Sequence, residues 1–280
     1  MNPTGRMASA ALALLASHAA LASISDGAAK ELTLKSGLWV QMDSIGQQVR
    51  SSMSEAIDKN GAGVPAERKA KMLACAESAF APDTLRGIAV DAIAGVLQPS
   101  DVLPLANWYD SVLGRRIAAE EESSARQVIE PQERIRRGTE ALDASSGSRK
   151  LALQSIVTET HSVDIMADTL IEMAFAVQEG VASLDPAVTP AQVAQIRASL
   201  ASRRPQVVEH YAQISVPAYA FTYARLTDDE VQKYAAHLVT PSAKVFNDGS
   251  TRGVARALGQ GSARLGRCLQ DAGGEAQAKP

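Results

Sequence analysis

The chain has 280 residues, with 28 Lys and Arg against 31 Asp and Glu and a formal charge of −3 at pH 7. That mild acidity excludes a protein gripping nucleic acid over an extended face, which needs clustered cations to displace counterions from phosphates. Only 4% of residues are aromatic and alanine is abundant, a composition that favours close-packed helices over sheets, and the length suffices for one large or two small domains.

Residues 1–22 (MNPTGRMASAALALLASHAALA) read as a secretory signal peptide: Arg6 in a short polar start, an Ala- and Leu-rich run, then the small-x-small site Ala20-Leu21-Ala22. The apolar run from Met7 to Ala16 is shorter than the roughly 20 residues that a membrane span needs, and Ser17-His18 interrupts it. Cleavage after Ala22 is expected to deliver a soluble protein to the periplasm. No later stretch is apolar enough to cross a bilayer, and the first cysteine, Cys75, lies far from the cut, so a lipid anchor is not expected.

From Leu38, the residues Met42, Ile45, Val49, Met53 and Ile57 recur at steps of three and four, predicting a helix of about 25 residues that Asn60-Gly61-Ala62-Gly63 ends. Pro65 opens a second helix carrying Met72, Leu73, Cys75 and Ala76 inward. A third, over about residues 83–96, buries Leu85, Ile88 and Ile93, and Gln98-Pro99-Ser100 separates it from a fourth. After the loop-like residues 145–148, one long helix is predicted over about 150–184. Its inward set is Leu153, Ile156, Val157, Ile165, Leu170, Met173, Val177 and Val181, and Asp185-Pro186 ends it. Thr189-Pro190 caps and starts another, which Arg203-Arg204-Pro205 ends. Tyr219, Phe221 and Tyr223 alternate, but their Ala-rich flanks favour helix; no strand pattern is found. About nine or ten helices are expected in all.

The chain also matches itself at an offset of 129 residues. Leu97-Gln-Pro-Ser-Asp-Val102 followed by Trp108-Tyr109-Asp110-Ser111-Val112-Leu113-Gly114-Arg115-Arg116-Ile117 aligns without a gap on Leu226-Thr-Asp-Asp-Glu-Val231 followed by His237-Leu238-Val239-Thr240-Pro241-Ser242-Ala243-Lys244-Val245-Phe246. Each copy reads as helix-corner-helix. Thr227 with Glu230 forms a capping box, Asp101 takes the place of Glu230, Ser111 and Thr240 cap the second helix, Pro241 suits its first turn, and the small Gly114 and Ala243 permit close approach. The expected fold is therefore an all-α multi-helix bundle built from a duplicated helical unit. Its divisions are a signal peptide (1–22), a first repeat (23–143), a second repeat (144–272) and a disordered tail (273–280).

These two segments resemble the bacterial domain-of-unknown-function family 2059, whose members carry an acidic helix start and then Phe-Tyr-x-Ser-Pro-x-Gly-Lys/Arg. Trp108-Tyr109-Asp110-Ser111-Val112-Leu113-Gly114-Arg115 matches without the Pro, and Leu238-Val239-Thr240-Pro241-Ser242-Ala243-Lys244 without the Tyr and the Gly. The resemblance spans loosely about residues 30–260 and implies an exported helical protein with no assigned activity. It does not carry a function requiring two chemically identical corners.

Chemistry-bearing motifs are scarce. His161, His210 and His237 have no His or Cys three or four residues away, so zinc spacing is lacking. Neither G-x-S-x-G nor S-x-x-K is present, and Gly259-Gln-Gly261 follows no predicted strand. Glu120-Glu121-Glu122 and Asp228-Asp229-Glu230 read as solvated faces, since helical neighbours point about 100° apart. No metal, cofactor or catalytic residue is expected. Cys75 and Cys268 either close a long loop as a disulfide, worth up to about 5 kcal/mol, or remain two buried thiols. Trp108, Tyr109, Tyr219 and Tyr223 are the candidates for lining a ligand groove, and Arg115 and Lys244 for an anion at helix starts. The reading that follows is a non-catalytic binding or interaction module of the cell envelope, holding an envelope protein, a peptide or a lipid. Its alternatives are a self-associating structural or stress-related scaffold, and an envelope hydrolase using Asp101 with Asp110 or Glu120.

Overall fold

The structure, a computed structural model, describes residues 24–60, 65–127, 129–182 and 187–277. The expected signal peptide with its cleavage site, and the helix end at Asp185-Pro186, lie outside the described residues. Within them the fold is all α. Thirteen helices and no strand are present: α1 (Asp26–Lys35), α2 (Leu38–Asn60), α3 (Ala66–Ala79), α4 (Pro82–Ala94), α5 (Pro99–Tyr109), α6 (Val112–Arg126), α7 (Pro131–Asp143), α8 (Gly147–Glu159), α9 (Ser162–Ala182), α10 (Pro190–Ser202), α11 (Arg204–Thr222), α12 (Asp228–Leu238) and α13 (Pro241–Gln277). None of the described helices is long and apolar enough to cross a membrane.

Local chemistry sets most boundaries. Ser25, Ser111 and Ser146 each accept a backbone N–H three residues on, at α1, α6 and α8. Proline occupies the first turn of α4, α5, α7, α10 and α11, where its missing N–H costs no hydrogen bond. Gly37 takes φ +77° between α1 and α2, a conformation that a side chain would strain.

The single helix expected over 150–184 is two. Thr160 Oγ1 donates back to the Ile156 carbonyl at 2.7 Å, and His161 follows in the left-handed region at φ 50°, so α8 stops and α9 restarts in a new phase. The restart undoes part of the expected inward set: Leu170 is 43% exposed, and Ala167, Phe175 and Ala176 are buried instead. At the other end α13 continues to Gln277, past residue 273 where a tail was expected.

Among the described residues two apolar cores form, and each borrows from the other half of the sequence. The first gathers α1 to α5 with Phe246, Val254, Leu258, Leu265 and Leu269 of α13. The second joins Leu153, Ile156, Tyr223, Val231 and Leu238 to Ile117 of α6 and Leu142 of α7. Helix α13 lies on α4, α3 and α9, and α7 lies on α11. The expected boundary at residues 143 and 144 is thus not a packing boundary, because long-range burial and not chain order assigns the last helix of each half. Cys75 on α3 and Cys268 on α13 are joined in a disulfide with Cα atoms 5.6 Å apart, tying the C-terminal arm to the first core.

Candidate functional site

The two helix-corner-helix segments keep the same bounds when shifted by 129 residues: α5 spans Pro99–Tyr109 and α12 spans Asp228–Leu238, with the next helices starting at Val112 and Pro241. At each start an acid accepts from the capping amide: Gln98 N donates to Asp101 Oδ2 and Thr227 N to Glu230 Oε2, both at 2.8 Å. Those acids also cross between the segments. Ser242 Oγ donates to Asp101 Oδ1 at 2.8 Å, and Arg116 Nη1 meets Glu230 Oε1 at 2.6 Å. The corners close through Ser111 Oγ, which donates to the Trp108 carbonyl at 2.6 Å, and Thr240 Oγ1, which donates to the His237 carbonyl at 2.7 Å. A Cβ on Gly114 would lie 2.1 Å from Trp108 O, so that corner requires glycine, whereas the other accommodates the buried Ala243.

Trp108 and His237, equivalent by the offset, stack face to face with centroids 4.0 Å apart and planes 8° off parallel. Around them Tyr109 meets His237 at 6.5 Å and Phe246 at 5.8 Å, Trp108 meets Tyr234 at 6.1 Å, and Tyr223 lies 5.7 Å from Tyr234 and 5.5 Å from Tyr219. All four groove candidates, Trp108, Tyr109, Tyr219 and Tyr223, come together. They do so as rings packed on one another, with Tyr223 fully buried.

Glu121 of α6 faces this cluster. Its Oε1 accepts from Tyr223 OH at 2.6 Å and from Tyr234 OH at 3.2 Å. Burial raises its carboxyl above the ordinary Glu range, and the two hydroxyl hydrogen bonds oppose that rise. Burial also raises Tyr109, Tyr219, Tyr223 and Tyr234, so all four keep their phenol protons at neutral pH. Burial holds the His237 imidazole down at about 4, which makes its stack on Trp108 a contact between uncharged rings near pH 7. A carboxyl raised in the fold holds its proton to a higher pH there than in the unfolded chain. Its stabilisation is present below the ordinary value of 4.5 and is lost as pH rises through the folded value. Glu121→Gln keeps an acceptor for both hydroxyls and removes this titration. Thermal melts of the two proteins are expected to agree near pH 4 and to separate towards pH 8 with the variant more stable; parallel curves would contradict the burial of the acid.

The Glu120-Glu121-Glu122 run is therefore not a solvated face throughout. The same 100° step that keeps three neighbours from converging turns one of them inward, and Glu120 is covered by Arg225 at 2.7 Å. The Asp228-Asp229-Glu230 run is likewise engaged, with Asp228 taking Ser146 Oγ at 2.5 Å and buried Arg149 at 3.1 Å, which together lower its carboxyl. Arg115 Nη1 donates to the Asp110 carbonyl, and Lys244 pairs with Glu159 at 3.3 Å, so each anion candidate has an internal partner. The acids of the hydrolase alternative are dispersed in the same way: Asp101 caps α5, Asp110 pairs with Lys35 at 2.7 Å, and Glu120 holds Arg225. Among the described residues no group of three or more His, Cys, Asp or Glu could hold a metal.

An open cleft with a mainly apolar wall lies elsewhere, between α9 and α10. It measures about 630 Å³ and is lined by Gln178, Ala182, Val188, Ile196, Leu200 and Arg203, among others. A second, more polar cleft of about 550 Å³ surrounds Ser146, Arg149 and Asp228, but Arg149 is committed to the Leu226 and Tyr223 carbonyls at 2.8 and 2.7 Å. Sequence reasoning missed the α9–α10 cleft. Its signal is weak: only Val193, Ile196 and Leu200 give α10 an apolar side in an Ala- and Gln-rich helix. No protein-family model matches the chain, and neither does any curated protein or solved structure.

Proposed function

We infer that this is an exported, non-catalytic interaction module of the cell envelope, working in the periplasm after loss of residues 1–22, and built by duplicating the helical unit that resembles domain-of-unknown-function family 2059. One observation carries the interaction reading: an apolar cleft of ligand size stands open between α9 and α10, while the acids that a hydrolase would need are spent on caps and ion pairs. The matching bounds of the two corners at one offset support the duplication. The likeness of Trp108 to Arg115 and of Leu238 to Lys244 to the family pattern supports the family placement.

Native mass spectrometry of protein purified gently from the source envelope tests the reading. The wild type is expected to carry a peptide, protein or lipid adduct that is lost in Ile196→Glu, a change placed in the cleft wall. An unadorned mass for both, or an adduct indifferent to the substitution, would contradict it.

A further inference from the structure

Helix α10 packs on α9 and α11 but buries no side chain of its own; Val193, Ile196 and Leu200 are half-buried and the rest of the helix is exposed. No residue of α10 joins either apolar core. Among the described residues Arg197 supplies its one polar side-chain link to another helix. That guanidinium pairs with Glu172 of α9 at 3.2 Å and lies 3.7 Å over the Phe175 ring. Phe175 is only 5% exposed yet belongs to neither core, so its ring owes part of its cover to Arg197. Beside the pair, Glu172 Oε2 is buried without a hydrogen-bond partner, a cost that hydration would remove if α10 lifted. The joint at the end of α10 is weak. Arg203 caps the helix, and Pro205 in the first turn of α11 lacks the N–H that would carry the hydrogen-bond ladder across. Beyond the joint, Arg204 is clamped to α9 by Asp168 and Asp164, both at 2.7 Å, so a movement of α10 stops at Arg203 and does not reach α11.

We propose that α10 is a hinged lid, which pivots about Arg203, uncovers Phe175 and Glu172 on α9, and is latched shut by Arg197. Opening is local, because both cores keep all their side chains when α10 leaves. It gives up the Arg197 contacts and three half-buried apolar faces, and it returns water to Glu172. Since α10 forms one wall of the α9–α10 cleft, its movement sets the width of that cleft. That consequence rests on the interaction reading, whereas the lid itself does not.

Hydrogen exchange followed by mass spectrometry on the full, oxidised chain tests the lid. A helix of 13 residues is marginal in water by itself, so α10 unwinds once lifted and its amides exchange. They are expected to exchange at least about 100-fold faster than those of α11 and α12. Arg197→Ala should speed α10 by a further factor of about five, with α11, α12 and the melting point unchanged, because only the latch is lost. Cys75→Ser with Cys268→Ser weakens the whole fold and should leave the α10 rate as it was, since local opening does not pass through global unfolding. Amides of α10 that exchange no faster than those of α11, or that follow the global stability, overturn the proposal. So does an Arg197→Ala protein with an unaltered α10 rate. Slow α10 exchange beside a native adduct that is lost in Ile196→Glu removes the lid and leaves the interaction reading standing; fast, Arg197-dependent exchange with no adduct does the reverse.

Discussion

Gly138→Ala is expected to destabilise the protein by about 2 kcal/mol, although alanine is the better helix former by about 1 kcal/mol. The reason is the contact between α7 and α11. A Cβ at position 138 would lie 2.0 Å from Pro217 O and 2.6 Å from Pro217 C, both backbone atoms that no rotamer change can move. Helix α7 would have to lift, and with it Arg134, whose guanidinium lies 5.0 Å over Phe221 and donates to Ser124 Oγ at 2.8 Å. Overpacking against fixed atoms costs about 1–3 kcal/mol or more, which outweighs the propensity gain. For a chain of this size the melting point should fall by about 5 °C. Gly87→Ala is the control, since a Cβ there meets nothing within 4 Å, and it should raise stability by up to about 1 kcal/mol. If both substitutions stabilise alike, the α7–α11 contact is looser than described.

Loss of the Cys75–Cys268 disulfide has the largest expected effect. The bond closes a loop between residues 193 apart in sequence, for which the chain-entropy argument gives about 5 kcal/mol as an upper value. Cys75→Ser with Cys268→Ser should therefore cost about 4 kcal/mol and lower the melting point by about 10 °C. The arm it releases is specific. Hydrogen exchange should rise first in the last turns of α13, around Leu265 and Leu269, and on the face of α3 around Met72 and Ala76, because those surfaces cover each other in the first core. A reduced protein that melts within a degree or two of the oxidised one would show that α13 is held by packing alone.

Elements written in local chemistry could be read from the sequence. The capping acids at 101 and 230, the hydroxyls at 111 and 240, and the prolines at 99, 190 and 241 act within a few residues of themselves, so the helix starts and both corners stand where those residues stand. What depends on distant partners could not be read. Thr160 and His161 fit a helical period as residue types, and only the backbone of His161 at positive φ ends α8 there. Gly249, Gly253 and Gly261 of α13 look like breakers in isolation, yet with Ala257 they recur every four residues and form the face that meets Ile93, Ala89 and Phe80. That spacing was the available signal for the exchanged arm. Tyr219 and Tyr223 stand out in the sequence because aromatics are scarce, but Glu121 sits in an acidic run, and nothing local distinguishes it from its neighbours.

The interaction reading meets its most direct test in the living envelope, with a photo-crosslinking amino acid placed at Ser199 in the cleft and, as a control, at Gln132 on the exposed side of α7. Discrete adducts at Ser199 that disappear with Ile196→Glu, and none at Gln132, are the predicted result. Equal adducts at both positions, or a cleft that cross-links to nothing, would contradict it.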